Sequence, residues 1–116
     1  MPRERLSERE RKRRRRRSAH NQHLRKTYGL SIDEYDLLLA GQGGKCAICR
    51  GGTSKRHFAV DHNHKTGEIR GLLCGRCNSA LARFMDSRVN VWRAHRYLKE
   101  GAPRVREILG RDVRTP

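Results

Sequence analysis

The chain has 116 residues, which is enough for one domain with a modest apolar core. Lysine and arginine total 28 against 12 acidic residues, the formal net charge is +16, and 34% of the residues are hydrophobic. The charge predicts a polyanionic partner. Nucleic acid is favoured over an anionic membrane, because the sequence has neither an apolar run of about 18 residues nor a basic amphipathic helix with a bulky apolar face. We also find no secretory signal and expect a cytoplasmic location.

A basic arm is predicted over residues 1–27, which contain twelve basic residues and only three acidic ones. Segments of this composition are disordered when free or form a solvated helix. We interpret the arm as a clamp that binds phosphates without reading sequence, in preference to a solvated tail. The candidate nucleic-acid contacts are Arg11, Lys12, Arg13, Arg14, Arg15, Arg16 and Arg17, with Arg70 and Arg76 further along the chain.

The domain itself is predicted over residues 28–100 and begins with a short scaffold helix. Ser31 and Glu34 have the spacing of a capping box, in which each side chain bonds the other residue's backbone amide. Gly41 is expected to end this helix. The residues predicted to share one face of this helix are Ile32, Tyr35, Leu38 and Leu39.

Four cysteines form two Cys-x2-Cys pairs, Cys46 with Cys49 and Cys74 with Cys77, separated by 24 residues. Pairs with this spacing can converge on one tetrahedral zinc ion, and a reducing compartment favours metal thiolates over disulfides. Four sulfur ligands leave zinc no open position, so we expect a structural ion that supplies stability the small core lacks. Disulfides or a redox pair are the alternative.

Between the cysteine pairs the sequence predicts a β-hairpin, with strands at residues 58–60 and 69–73 and a turn at residues 65–67. The polar run from Asp61 to His64 follows the first strand. By itself, this run is equally compatible with an exposed polar turn. Neighbouring strand residues face opposite sides, so Asp61 and His62 can serve one cleft only if the strand ends or bulges there.

Two helices are predicted after the second cysteine pair, and residues 101–116 are expected to be a short tail. The first helix is expected to run from Asn78 to Met85, which places Asn78 at a helix N-terminus, where backbone amides favour an anion. Asp86 or Ser87 is expected to cap the last helix, which Gly101 ends. The residues predicted to share a face of that helix are Val91, Trp92, His95 and Leu98, with Trp92 in the core.

The remaining histidines are expected to be surface or helix-face residues without functional neighbours. These are His20, His23, His57 and His95.

Several stretches combine into one specific pattern over residues 28–98: Tyr28-Gly-Leu-Ser, Gln42-Gly-Gly-Lys-Cys-Ala-Ile-Cys49, Ala59-Val-Asp-His-Asn-His64, Thr66-Gly67 and Arg70-Gly-Leu-Leu-Cys-Gly-Arg-Cys-Asn78. The pattern resembles the recombination endonuclease VII family, within the HNH or ββα-metal nucleases. The resemblance implies an α+β fold, a small zinc-stabilised ββα-metal (HNH) unit with flanking helices.

The resemblance also implies roles for four residues in hydrolysing the phosphodiester bonds of duplex or branched DNA, leaving a 3′-hydroxyl and a 5′-phosphate. His62 would be the general base, His64 would contact or polarise the phosphate, and Asp61 with Asn78 would hold one Mg²⁺ or Mn²⁺ ion. The chemistry suits these types of residue, because imidazole can accept a proton from water and oxygen ligands suit a hard divalent cation.

The alternative function is a non-catalytic, zinc-stabilised module that binds DNA or RNA through the basic arm. Asp61, His62 and Asn78 discriminate between the two, since a binding module does not need this trio whereas zinc and basic charge serve both. The resemblance fits a bacterial or phage-infected host. Other phage or host DNA-processing proteins are then candidate partners.

Overall fold

The structure is a computed structural model that describes residues 4–116 and has mixed helix and small strand content. This agrees with the predicted α+β class. The elements are α1 (Glu8–Tyr28), α2 (Ile32–Gly41), β1 (Ala59–His62), β2 (Ile69–Leu73), α3 (Gly75–Arg83), α4 (Arg88–Glu100) and α5 (Val105–Leu109). Among the described helices, none is long and apolar enough to cross a membrane.

The chain divides into two compact units, and the division falls inside α3. The first unit ends at Asn78 and the second covers Ser79–Pro116. Every residue predicted to bind zinc or to act in catalysis therefore belongs to the first unit. In the second unit, none of residues 79–116 is buried.

Most of the predicted basic arm is a helix, α1. Its N-terminus is a capping box: the amide of Glu10 donates to Ser7 Oγ at 3.2 Å, and the amide of Ser7 donates to Glu10 Oε2 at 2.7 Å. The helix continues across the predicted arm boundary at residue 27 and ends before Gly29, which has φ 68°. Near its C-terminal end Leu24 is only 1% exposed. The end of the basic segment is thus part of the folded unit.

Helix α2 confirms the predicted capping box and the predicted end at Gly41. The amide of Glu34 donates to Ser31 Oγ at 3.1 Å, and the Ser31 amide donates to Glu34 Oε1 at 2.9 Å. Tyr35 is buried, whereas Leu38, which was predicted to lie on the same face, is 36% exposed. The packed face is centred on Tyr35 and leaves Leu38 at its edge.

One buried residue from each of the first four elements forms the core: Leu24, Tyr35, Val60 and Leu72. Partly buried side chains surround these four, namely Tyr28, Leu30, Ile32, Leu39, Phe58 and Ile69. Two hydrogen bonds fix the helices on this core. Asn21 Oδ1 accepts from the amide of Ile32 at 2.9 Å, and the Tyr35 hydroxyl donates to the carbonyl of Phe58 at 3.0 Å.

The predicted β-hairpin is confirmed, with β1 and β2 antiparallel. Strand β2 has the predicted bounds, whereas β1 begins one residue later than predicted and extends to His62. Asn63 organises the turn, because its Oδ1 accepts from the amides of Lys65 and Thr66 at 2.9 and 3.3 Å. Its carbonyl also accepts from the amide of Gly67 at 2.7 Å.

The predicted helix start at Asn78 is wrong, because α3 begins at Gly75. The Asn78 amide donates to the carbonyl of Cys74 at 3.0 Å, so Asn78 lies inside the first turn and its amide is already paired. This finding removes the argument that the backbone at Asn78 offers a free amide to an anion.

Within the second unit, the predicted cap and end of α4 are confirmed, while the predictions for Trp92 and for the tail differ from the structure. Ser87 caps the helix by accepting from the Asn90 amide at 3.1 Å, and Gly101 ends it. The predicted burial of Trp92 is wrong, since it is 56% exposed and its ring is covered by the Arg96 guanidinium at 5.1 Å from the centroid. The predicted tail contains a further short helix, α5.

We predict that Leu24→Ala lowers the free energy of unfolding by about 2–5 kcal/mol, because it leaves a cavity where α1 meets the core. Leu37→Ala is the matched control, since Leu37 is 72% exposed. We expect this control to stay within about 0.5 kcal/mol of wild type. Urea unfolding followed by circular dichroism measures both. Equal, small effects would show that α1 is not anchored in the core.

Candidate functional site

The sulfur atoms of the four cysteines lie within 4.8 Å of one another. Cys49 Sγ and Cys74 Sγ are 3.8 Å apart. A tetrahedral zinc ion with Zn–S bonds of about 2.3 Å requires sulfur atoms about 3.8 Å apart. All four cysteines are free thiols, and this cluster can therefore hold a metal ion such as zinc.

Tight backbone turns bring the first cysteine pair to the cluster. The amide of Cys46 donates to the carbonyl of Gly51 at 2.9 Å, and the carbonyl of Cys46 accepts from the amide of Arg50 at 3.1 Å. Arg50 closes the turn with φ 62°, an uncommon conformation for a residue with a side chain. The second pair follows β2 directly, so the strand and the first turn of α3 deliver Cys74 and Cys77.

Gln42 joins the two cysteine segments, a role that sequence reasoning missed. Its Nε2 donates to the carbonyls of Lys45 and Leu72, each at 2.9 Å, and its Oε1 accepts from the amide of Leu72 at 2.9 Å. A Cβ atom at Gly71 would lie 3.1 Å from Gln42 Oε1, so a larger residue there would require the Gln42 side chain to shift. No local pattern marks a glutamine for this contact, because its partner lies 30 residues away.

The thiols of the cluster do not ionise alike. Desolvation opposes ionisation of Cys46, but hydrogen bonds from backbone amides outweigh it and lower the pKa of this thiol to about 6. Desolvation and hydrogen bonds with the other thiols raise the pKa of Cys77 to about 12. Four thiolates at this separation repel one another, and a bound cation would stabilise them together.

Asp61 lies beside an irregularity in the hairpin. Asp61 pairs with Gly71 and His62 pairs with Ile69, so Arg70 is an extra residue between them. The structure therefore meets the predicted condition that the strand bulges or ends here, since His62 is also the last residue of β1.

Arg70 forms a bidentate ion pair with Asp61. Its Nε lies 2.7 Å from Asp61 Oδ2 and its Nη2 lies 3.0 Å from Oδ1. Asp61 is 8% exposed, and a buried carboxylate of this kind needs a charged or hydrogen-bonding partner. Arg70 was predicted to contact nucleic acid, whereas in this structure its guanidinium binds Asp61.

His62 and His64 lie together, with ring centroids 4.6 Å apart. The His62 ring also lies near the Tyr28 ring, with centroids 5.8 Å apart. His62 is partly exposed and His64 is exposed. Both imidazoles are thus within reach of a ligand from solvent.

Asn78 is exposed and immediately follows Cys77. In the part of the chain that the structure describes, no hydrogen bond joins its side chain to Asp61, His62 or His64. The cysteines are also the one group of three or more His, Cys, Asp or Glu side chains in residues 4–116 that could share a metal ion.

The candidate basic contacts lie along α1 and on α3. Arg11 and Arg15 pair with Glu8 at 3.2 and 3.8 Å. Arg17 pairs with Asp36 of α2 at 2.8 Å, which links the basic helix to the core helix. The other candidates on these helices are exposed: Lys12, Arg13, Arg14, Arg16 and Arg76.

His20 and His57, which were expected to be surface or helix-face residues without functional neighbours, lie against each other. Their rings are stacked, with centroids 3.7 Å apart and an interplanar angle of 15°. The edge of His20 also meets the Tyr35 ring at 4.9 Å. The contact joins residues far apart in the chain, so no local pattern could have predicted it.

Comparisons with known proteins assign residues 21–100 to a family model described as recombination endonuclease VII. The Gene 59 protein of Mycobacterium phage D29 is 37% identical over 89 residues, which cover 75% of this chain and 53% of that protein. The Gene 59 protein of Mycobacterium phage L5 is 53% identical over 53 residues, which cover 45% of this chain and 32% of that protein. The matches thus span about half or less of these relatives' length. No solved structure matches the chain.

We predict that Cys49→Ser lowers zinc affinity by more than about 10-fold and destabilises the zinc-loaded protein, because metal binding contributes directly to folding. Cys49 is exposed, so its substitution removes little packing. Ile48→Ala, in the same turn and 54% exposed, is the matched control. Metal analysis and thermal unfolding, with and without a chelator, measure both effects. A Cys49→Ser protein with full zinc content and wild-type stability would contradict the metal site.

Proposed function

Because the chain belongs to the recombination endonuclease VII family, we propose that it is a metal-dependent endonuclease that hydrolyses DNA phosphodiester bonds. The observation that carries the proposal is the family match over residues 21–100, which includes the cysteine cluster, Asp61, His62, His64 and Asn78. The order β1, β2, α3 beside that cluster supports the ββα-metal (HNH) form of the fold.

The first part of the proposal is that the cysteine cluster holds a structural zinc ion. The spacing of the sulfur atoms fits tetrahedral coordination, and four thiolates leave no position for water or substrate. Such an ion would fix the hairpin between the two cysteine pairs. Catalysis then falls to the oxygen and nitrogen groups on the hairpin and α3.

His62 is the proposed general base. Its partly exposed ring can accept a proton from the water that attacks phosphorus, while the adjacent His64 binds a phosphate oxygen. The Tyr28 ring beside His62 limits the positions that the imidazole can occupy.

Asp61 and Asn78 are the proposed ligands of one Mg²⁺ or Mn²⁺ ion. A carboxylate and an amide oxygen fit a hard cation, and such ions commonly keep several water ligands. A carboxylate offers about four acceptor sites, so the two bonds from Arg70 leave capacity for a cation. When bound, the ion would neutralise charge on the scissile phosphate. Arg70 keeps the carboxylate in place.

DNA, duplex or branched, is the proposed substrate. Helix α1 carries a dense series of arginines that suits phosphate contacts without sequence readout, and these contacts would give strongly salt-dependent binding. In this proposal residues 1–27 bind the phosphate backbone of the DNA, residues 28–100 cleave it, and residues 101–116 form a short C-terminal tail. The two relatives are phage proteins, which supports a phage setting in which other DNA-processing proteins are partners.

We predict that His62→Ala lowers the single-turnover rate of DNA cleavage by about 10²-fold or more, since general-base catalysis typically contributes that much. Zinc content and DNA affinity should remain at wild-type levels. His95→Ala, an exposed histidine of α4, is the control and should cleave normally. Cleavage of supercoiled plasmid with magnesium measures the rate. A His62→Ala protein as fast as wild type would favour the non-catalytic zinc module that binds DNA or RNA.

We predict that Asp61→Asn raises the magnesium concentration needed for half-maximal cleavage by about 10-fold or more, because it removes a charged ligand. Asp112→Asn, an exposed acid near the C-terminus, is the control. The free energy of unfolding is measured in parallel. It reports the loss of the Arg70 ion pair, whereas the magnesium dependence of cleavage reports the loss of the metal ligand. A slower enzyme with unchanged magnesium dependence would contradict the ligand role of Asp61.

A further inference from the structure

A basic cleft of about 510 Å³ opens among α1, α2 and the segment before β1. Its volume lies within the range of about 300–1,000 Å³ usual for ligand sites. The basic and histidine side chains that line it are Arg13, Arg16, Arg17, His20, Arg56 and His57. The cleft shares no residue with the proposed catalytic site or the cysteine cluster.

The cleft residues on α1 converge by helix geometry. Positions 13, 16, 17 and 20 are spaced i, i+3, i+4 and i+7, which places them on one face of the helix. Arg56 and His57 come from the segment before β1 and complete the lining. Tyr35 and Phe58 form part of the wall, and the hydrogen bond between them ties that wall to the core.

The charge of the cleft is largely unbalanced. Asp36 is the acidic residue in its lining, and it binds Arg17 at 2.8 Å. Within residues 4–116, no acidic side chain forms an ion pair with Arg13, Arg16 or Arg56. Three guanidinium groups without an acidic partner around one concave surface are suited to an oxyanion, which they can bind through charge-assisted hydrogen bonds.

The stacked histidines lie within this positive field. Burial is the largest of the causes that lower the pKa of His20. The charges of His57, His23 and Arg17 lower this pKa further, whereas Asp36 raises it. Burial and then Arg56 lower the pKa of His57. In the free protein both imidazoles are therefore more readily neutral than ordinary histidines.

We propose that this cleft is a phosphate-binding site that holds one backbone phosphate of the DNA at a distance from the bond that is cut. The inference rests on the proposed function and deepens it, because it assigns a defined site to part of the basic helix and adds Arg56, His20 and His57. A phosphate here would engage the arginines of the cleft and lie against the histidine stack.

Phosphate binding in the cleft carries a pH dependence. A bound anion favours the imidazolium forms of His20 and His57, so their pKa values are higher in the complex than in the free protein. Binding then takes up protons, and the affinity rises as the pH falls through the range in which histidines titrate.

The first test uses full-length, zinc-loaded protein and a DNA duplex without magnesium, with affinity measured by fluorescence anisotropy at several salt concentrations. Arg56→Ala should reduce the slope of log affinity against log salt by about 0.9, the value for one phosphate contact. Lys99→Ala removes one exposed charge from α4, outside both the basic arm and the cleft, and should leave the slope near wild type. An Arg56→Ala slope equal to that of wild type would overturn the site.

The second test measures the same affinity across the histidine titration range. His57→Gln should weaken the tightening at low pH, while His95→Gln, an exposed histidine on α4, should keep the wild-type profile. His57 is exposed, so its substitution leaves the core intact. Identical profiles for wild type and His57→Gln would overturn the proposal. The proposal would also be overturned if inorganic phosphate displaced the labelled duplex from the protein as strongly as unlabelled duplex does at equal phosphate concentration.

The two proposals fail in different ways. A wild-type protein that neither binds nor cleaves DNA would overturn both. Normal binding and cleavage by wild type, with Arg56→Ala and His57→Gln indistinguishable from it, would overturn the cleft alone.

Discussion

Two cysteine pairs separated by 24 residues meet with their sulfur atoms within 4.8 Å, and the position of every proposed catalytic group depends on that meeting. Closing this loop has an entropic cost, which the apolar core of so small a chain offsets only in part. The split between a Cys46 pKa of about 6 and a Cys77 pKa of about 12 reflects thiols held too close to ionise alike. A cation bound among them would link the two cysteine segments and, through them, the hairpin and the first turn of α3.

Arg70, the extra residue of β2 beside Asp61, affects both the strand pairing and the charge at this position. A uniform antiparallel register would continue the regular alternation through Asp61 and His62. The inserted residue interrupts the pairing at that point, and its own side chain neutralises the carboxylate that the fold has buried. Arg70 is thus both the extra residue that shifts the register beside Asp61 and the partner of a buried anionic group in a strongly basic protein.

The sequence predicted features that depend on local spacing and could not predict contacts between distant segments. The Ser31 box, the Ser87 cap, the bounds of β2 and the convergence of the cysteines follow from short motifs, and all are confirmed. The ion pair of Arg70 and the His20–His57 stack depend on tertiary packing, and Trp92 was misplaced because the second unit has no buried residue. The roles of Asp61, His62, His64 and Asn78 follow from the resemblance and stay predictions.

The side chain of Gln42 bonds both the amide and the carbonyl of Leu72, as a neighbouring strand would. A two-stranded sheet has unpaired edges, and an open edge is a template on which another chain can add a strand. The amide of Ala47 also donates to the Leu72 carbonyl, at 3.2 Å. The chain therefore occupies the outward-facing amide and carbonyl of Leu72 with its own groups. Another chain could not pair with Leu72 at this edge without first displacing Gln42 and Ala47.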